Sequence, residues 1–270
     1  MSPHQFAEAL RTRRLYGTLI ASPSPHWIVA TRDLPLDFVF LDTEHLPMDR
    51  LWLAWMCRGY TAAGLPVIVR IPTPDPHWAS MVVDGGASGV LAPYVERPEQ
   101  VRALVGAVKF RPLKGDRLRT RLEESTPLET QLEHYLRQRN QGLAVLVNIE
   151  SVPALKALDE ILAVEGLDGV IVGPHDLSCS LGIPEQYEHP QFVQAVDQVI
   201  QAARRRGLGA GVHAIWKNLD LEIRWAQLGA NILLHSADFL LFRDRLLDDL
   251  QQLRNALGDS TAETTSHPVV

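Results

Sequence analysis

Asp42, His45, Arg70, Glu150 and Asp176 each stand at or just beyond the end of a short apolar run, and their types suit proton transfer and cation-assisted chemistry. Glu150 and Asp176 end two successive runs, "AVLVNIE" and "GVIVGPHD". Two hard oxygen donors from neighbouring strands fit an octahedral cation that keeps some waters and leaves positions for substrate, most simply Mg2+ or Mn2+. Either carboxylate could instead cap the helix behind it, since "SVPALKAL" follows Glu150 and "LSCSLG" follows Asp176. Arg70 directly follows "VIV", and a guanidinium at the end of a buried strand needs an anionic partner. A substrate carboxylate or developing oxyanion is one such partner, and Asp42 is the internal alternative. The motif "DTEH" spaces Asp42 and His45 so that the carboxylate can orient the imidazole for proton transfer, although a lone His after a strand is as readily structural. Glu44 and Asp84 are further carboxylates that could support these groups. The trio His175, Asp176 and Cys179 has the look of a zinc clasp. Only two cysteines occur, Cys57 and Cys179, without CxxC spacing, which supports neither a Cys-rich zinc module nor a disulfide framework. Asp176 is therefore read as the single ligand of that stretch and Cys179 as a packing residue. His213 and His235 read as rim or core residues, and Trp52 and Trp55 as the core face of one amphipathic helix.

Such groups need a scaffold that brings strand ends together. Eight β-branched apolar runs occur, "YGTLIAS", "FVFLDTEH", "PVIVRIP", "GVLAPYV", "AVLVNIE", "GVIVGPHD", "GAGVHA" and "NILLHSAD", alternating with amphipathic stretches such as "RPEQVRALVGAVKF" and "PQFVQAVDQVIQAARRRG". Strands apolar throughout and alternating with helices imply a parallel sheet covered on both faces. Eight such units predict an α/β TIM (β/α)8 barrel over residues 1–257, with a doubly wound sheet as the alternative. No GxGxxG follows the first run, which removes the main support for a dinucleotide fold. In a barrel of this kind the chemistry sits at the C-terminal strand ends, where Ser22, Asp42, Glu44, His45, Arg70, Glu150, Asp176, His213, His235 and Asp238 fall. The charged segment 111–142, between the fourth and fifth runs, reads as an insertion at the active-site mouth, a lid or a subunit contact. Residues 258–270, "GDSTAETTSHPVV", read as a disordered tail.

The 270-residue chain carries a formal net charge of −6, which argues against nucleic acid as its main partner. No run approaches the roughly 18 consecutive apolar residues of a membrane span, and the first residues carry no apolar leader. These features predict a soluble cytoplasmic protein with no membrane partner.

Taken together, "FVFLDTEH", "VIVRIP", "DGGASGVLAPYV", "LVNIESVPAL", "LDEILAVEGLDGVIVGPHDLSCSLG" and "GANILLHSADFLLF" resemble the HpcH/HpaI aldolase and citrate lyase family of metal-dependent class II aldolases. The resemblance runs from about residue 16 to 242. It implies a TIM barrel that assembles as a homo-oligomer, a trimer or a hexamer built from trimers. It also implies that Glu150 and Asp176 bind a divalent cation (Mg2+, Mn2+ or Co2+), that Arg70 contacts the keto and enolate oxygen, and that His45, oriented by Asp42, handles protons. Backbone amides around Gly173, His175 and Asp176 would hold the carboxylate of a 2-oxo acid. The implied reaction makes or cleaves 4-hydroxy-2-oxo acids through a pyruvate enolate, with an aldehyde as the other partner. A related condensation or cleavage on an acyl-CoA or citrate-like acid is the second reading, and a non-catalytic barrel binding metal and a small acid the third. Asn148 stands where the family commonly has a longer Gln, which alters one contact to substrate, and His175 replaces a usual small residue in the "GPxDLS" loop.

Overall fold

The chain's apolar runs have one way to bury both of their faces: between a shell of helices outside and one another's side chains inside. In the computed structural model, which describes residues 5–124, 126–216 and 218–259, they do so as eight strands. These are β1 (Leu15–Leu19), β2 (Phe38–Asp42), β3 (Val67–Arg70), β4 (Gly89–Ala92), β5 (Ala144–Ile149), β6 (Gly169–Val172), β7 (Gly209–Ala214) and β8 (Ile232–Ala237). All neighbouring pairs are parallel and in chain order, and β8 returns to β1, so the sheet closes into a barrel with no free edge. Helix α1 (Phe6–Thr12) precedes the barrel. Between strands run α2 (His26–Arg32), α3 (Arg50–Ala62), α4 (Pro76–Gly85), then α5 (Pro98–Lys109), α6 (Gly115–Glu123) and α7 (Thr130–Arg139) before β5. The remaining connections hold α8 (Val152–Lys156) and α9 (Leu158–Leu162), α10 (Pro174–Ser180) and α11 (Pro190–Arg205), and α12 (Leu219–Leu228), and α13 (Asp238–Leu257) ends the described chain. The barrel expected from the sequence is the fold observed. No described helix is long and apolar enough to cross a membrane.

Strand alternation divides the core in two. Val39, Leu41, Val67, Val69, Val145 and Val147 face outward into the helix layer. Phe38, Phe40, Ile68, Leu91, Leu146, Ile171, Ile232 and Leu234 fill the barrel, and Phe6 and Leu10 of α1 close its N-terminal end. Large and small residues interlock there. A Cβ on Gly17 would fall 2.3 Å from Cζ of Phe38, and one on Gly211 would fall 2.0 Å from the backbone oxygen of Ile232. The same end is tied by polar groups: Asn231 Nδ2 donates to the carbonyls of Leu10 and Arg13, both at 2.8 Å. Lys109 Nζ lies 2.6 Å from the buried carboxylate of Asp168, which also accepts from Val145 N at 2.8 Å.

Two expectations change. The segment 111–142 forms α6 and α7 but does not sit over this chain's own strand ends. It begins only after α5 has carried the chain back to the N-terminal side of the barrel, and α6 lies on the outer face of α5, where Leu118 and Leu122 pack beside Gly106. Trp52 and Trp55 are 49% and 67% exposed rather than core. The inward stripe of α3 is Leu53, Met56, Cys57 and Tyr60, at helical spacing, which turns both tryptophans outward. The tail expectation falls, beyond Asp259, outside the described residues.

Gly211→Ala has no side chain to push aside, because the new methyl meets backbone. Overpacking of this kind costs about 1–3 kcal/mol or more, so the variant is expected to melt several degrees below wild type in a thermal denaturation followed by circular dichroism. An unchanged midpoint would show that β7 and β8 can separate without cost.

Candidate active site

The site forms where the inward-facing positions of β2, β3 and β5 run past the last apolar layer and become polar. The β2–β3 register sets Asp42 directly beside Arg70. Arg70 Nε donates to Asp42 Oδ1 at 2.8 Å, and Arg70 Nη2 donates to Oδ2 at 2.6 Å, a two-pronged buried pair. Glu44 Oε2 lies 3.1 Å from the same Nε, and the guanidinium rests over the ring of Phe40 at 5.8 Å. Burial alone would push the Asp42 carboxyl up, but the hydrogen bond and charge of Arg70 outweigh it and leave it below the usual range. Burial likewise works against the charge on Arg70, and Asp42, Glu44 and Glu150 more than offset it. Arg70 therefore has the internal partner that the sequence left open.

The expected orientation of His45 by Asp42 is not what the fold makes. Asp42 faces inward to Arg70, whereas His45 lies in the loop beyond the strand, exposed, with its Nε2 3.7 Å from Glu44 Oε2. Glu44 is the carboxylate behind the imidazole. Asp84 is separated from the site, at the far end of α4, where it pairs with Arg111. His213 lies inside the barrel against Phe40, ring centroids 5.4 Å apart. Burial, followed by the charge of Arg70, holds its pKa down at about 4, and its Nε2 lies 3.2 Å from the carbonyl oxygen of Ser236. His235 pairs with Glu222 at 3.0 Å, away from these groups. Asp238 accepts from the amides of Ala21, Ser22 and Phe239, a structural clamp between β8 and the end of β1.

Glu150 follows β5 and is 5% exposed. Its Oε1 accepts from Tyr94 N at 2.6 Å. Burial pushes its carboxyl up to about 7, helped by the negative charges of Asp176 and Glu44 and opposed by the Tyr94 amide and Arg70. Asp176 lies in the first turn of α10, half-buried. Asn148, two residues before Glu150 on the same inward row, is buried with its Oδ1 lacking a hydrogen-bond partner. Gly173 keeps room for this set: a Cβ there would fall 2.6 Å from Glu150 Oε2 and 3.1 Å from Asn148 Nδ2.

These residues fit a hard divalent cation. The Glu150 carboxyl is raised by burial and by the charges of Asp176 and Glu44, the Asn148 amide oxygen is left unsatisfied, and a glycine keeps space beside Glu150 and Asn148. Among the described residues no group of three or more His, Cys, Asp and Glu side chains could hold a metal ion, so the donor set suits a cation that keeps waters rather than a closed zinc site. His175 is exposed, its Nδ1 3.7 Å from Glu185 Oε1 and its Nε2 4.0 Å from Cys179 Sγ. Cys179 is exposed, not the packing residue expected, because the inward side of short α10 is taken by Pro174, Leu177 and Ser178.

One group escaped the sequence reading. Tyr94, just past β4, has a φ of 54° and a half-exposed ring, with Glu44, Asp176 and Glu150 near enough to act on its phenol. Glu44 above all, then burial and the charges of Asp176 and Glu150, push the phenol up to about 12, so it stays protonated. The signal was available: every other strand end contributes a polar candidate, and only the fourth was left without one.

A profile of the HpcH/HpaI aldolase/citrate lyase family matches residues 16–243. A 2-keto-3-deoxy-L-rhamnonate aldolase of Salmonella typhi is 30% identical over 260 residues, 96% of each chain. Among solved structures, an HpcH/HpaI aldolase from Desulfitobacterium hafniense DCB-2 aligns with a TM-score of 0.79 at 26% identity, covering 98% of this chain and 100% of that one. A citrate synthase, SbnG, aligns with the same TM-score and identity, over 95% of this chain and 98% of its own.

The raised carboxyl of Glu150 makes stability depend on pH in a definite direction. An unfolded Glu loses its proton near 4.5 while the folded one keeps it to about 7, so the unfolded state binds fewer protons between those values and stability falls as pH rises through that window. Glu150→Gln removes the charge and retains an acceptor for Tyr94 N. In chelator at pH 8 the variant is expected to melt a few degrees above wild type, by at most about 3 kcal/mol, the gap closing toward pH 4.5. Equal midpoints across this range would mean that the Glu150 carboxylate is not strained.

Proposed function

The chain belongs to the HpcH/HpaI aldolase/citrate lyase family and is a carbon–carbon lyase of the class II aldolase type; on that premise we propose that it is a one-domain barrel enzyme, over residues 1–257, that interconverts a 4-hydroxy-2-oxo acid with pyruvate and an aldehyde. The observation that carries the reading is Glu150, buried beside the space that Gly173 keeps, its carboxyl raised by burial and by the nearby charges of Asp176 and Glu44, with Arg70 close by.

In this reading Glu150 and Asp176 hold Mg2+, Mn2+ or Co2+, and Asn148 adds a polar contact to the cation's surroundings or the substrate. The cation, when bound, supplies Lewis-acid stabilisation of negative charge on the 2-oxo oxygen. Arg70, fixed by Asp42, presents its remaining N–H groups to the oxygen on which enolate charge develops. The amides at the start of α10, around Gly173, His175 and Asp176, receive the substrate carboxylate, where N–H groups have no intrahelical partner. His45, at the open rim with Glu44 behind it, takes the proton from the 4-hydroxyl. The C3–C4 bond then breaks, its electron pair becomes the C2–C3 double bond of the enolate, and the aldehyde departs. Protonation at C3 by the same imidazole gives pyruvate and restores the base.

A second reading, condensation or cleavage on an acyl-CoA or citrate-like acid, draws support from the equal structural likeness to the citrate synthase SbnG. It uses the same carboxylates and guanidinium for a different enolate.

Oligomerisation belongs to the proposal. Leu51, Trp52 and Trp55 on α3, and Phe242, Leu253 and Leu257 on α13, are between 49% and 74% exposed in the single chain. Contiguous apolar faces of this sort suit a contact between copies. We assign α6 and α7 to the same assembly, as a subunit contact rather than a lid over the chain's own site.

Three measurements follow from these assignments. Wild type with Mn2+ or Mg2+ is expected to exchange the C3 protons of pyruvate with deuterated water, and EDTA to stop it; a folded protein with no metal-dependent exchange would remove the enolate reading. Asp176→Ala should lose the exchange by at least about 100-fold, while Cys179→Ala keeps it within about twofold; equal loss in both would restore a zinc site. Light scattering should give a mass of three or six chains for wild type, and Trp55→Glu should lower it. A monomeric wild type would rule out the assembly without touching the chemistry.

A further inference from the structure

Among the described residues other than glycine, Tyr94, Glu185 and Ser236 have a positive φ, and Tyr94 is the one whose backbone holds Glu150. Tyr94 has a φ of 54°, in the left-handed region that non-glycine residues seldom enter and that persists only where surrounding groups demand it. Here two hydrogen bonds demand it. Tyr94 N donates to Glu150 Oε1 at 2.6 Å, and Tyr94 O accepts from Gln100 Nε2 at 3.3 Å. Gln100 in turn accepts from Glu96 N and Arg97 N, at 2.9 and 3.0 Å, which pins the whole turn to the start of α5.

This turn gives the residue two separate duties. Its amide points inward and fixes Glu150. Its ring, just past β4 at the strand ends, is 51% exposed and carries an O–H. The other groups at this mouth are spoken for: His45 faces Glu44, and His175 faces Glu185. The deep positions beside Arg70 and Glu150 belong, on the aldolase reading, to the 2-oxo acid half. The half that leaves as aldehyde must then extend toward the open rim, past the phenol.

We propose that Tyr94 is a specificity-determining residue for the aldehyde half, its phenol donating a hydrogen bond to a hydroxyl on that half and so favouring hydroxyaldehydes over alkyl aldehydes. The assignment rests on the aldolase reading. It explains why a strained tyrosine stands where any residue with an N–H could hold Glu150: the backbone serves the cation site, and only the side chain serves the variable part of the substrate. Loss of one such bond to a neutral partner is worth about three- to tenfold.

Tyr94→Phe removes the hydroxyl alone. In aldol addition with pyruvate and Mn2+, KM for glycolaldehyde is expected to rise about three- to tenfold while kcat stays within about twofold. KM for propanal, C3 exchange of pyruvate and Mn2+ affinity by calorimetry should stay unchanged. Tyr94→Gly keeps the amide and relieves the backbone. It should show the same glycolaldehyde defect with intact Mn2+ affinity. Equal KM changes for both aldehydes, no change for either, or loss of pyruvate exchange in Tyr94→Phe would each overturn the proposal. Failure of the aldolase reading is seen separately, as absence of metal-dependent exchange in the wild-type protein.

Discussion

The site depends on a single buried contact, the two-pronged pairing of Arg70 with Asp42 across the β2–β3 register. Burying a guanidinium is expensive, and removing its partner typically costs about 3–5 kcal/mol because a bare charge is left inside. Asp42 makes it possible for the barrel to carry a permanent positive charge near its centre. Phe40 supports it from below, and His213, packed on Phe40 and held neutral, adds no competing charge. Asp42 takes both prongs of Arg70, and Glu44 and Glu150 share only what remains of its charge. Burial, with the negative charges of Asp176 and Glu44 added to it, is why Glu150 holds its proton to about 7. A protein that needed only stability would not keep them, since a buried acid of this kind weakens the fold at neutral pH. The arrangement makes sense as a place for a positive ion.

Stability is supplied at the other end. Phe6 and Leu10 cap the barrel, Gly17 and Gly211 let bulky neighbours close on one another, and Asn231 and the Lys109–Asp168 pair satisfy the polar groups there. In a parallel barrel every strand starts at one face and ends at the other, so the two tasks separate without conflict. Apolar packing governs the first face, and strained or unsatisfied polar groups gather at the second.

This division explains what could be read in the sequence. The strands were legible because each is apolar on both faces, a pattern that local composition reveals. Glu150 was placed beside the barrel's polar end because it directly follows an apolar run, whereas Asp176 falls four residues beyond β6, in the first turn of α10. The pairing of Asp42 with Arg70 was legible only as one alternative beside service to His45, since the choice depends on the register between strands, which no spacing within "DTEH" encodes. Trp52 and Trp55 were misread as core because a helix with apolar residues on two faces does not declare which one meets the barrel; the positions of Leu53, Met56 and Tyr60 decide it. Segment 111–142 was placed at the mouth by counting from the preceding strand, when the intervening α5 had already returned the chain to the opposite side. Tyr94 was invisible for another reason: its importance lies in a positive φ, which for a tyrosine has no signature in composition or period.

The two enzymatic readings of the family therefore differ less than their products suggest. Forming an enolate from a 2-oxo acid or from an acyl group asks the same of the interior: positive charge opposite one oxygen, and a carboxylate pair to hold the ion that supplies it. On the proposed reading Asp42, Arg70, Glu150 and Asp176 would meet that demand from positions at or just past strand ends, which the barrel does not easily vary. Residues at the mouth are under no such constraint. Tyr94, on a loop, and His175, in the first turn of α10, are about half exposed there and can change without disturbing the charge balance beneath them. A barrel of this type keeps its electrostatics in the strands and its choice of partner in the loops, so the substrate of this chain is to be sought in the chemistry of its rim.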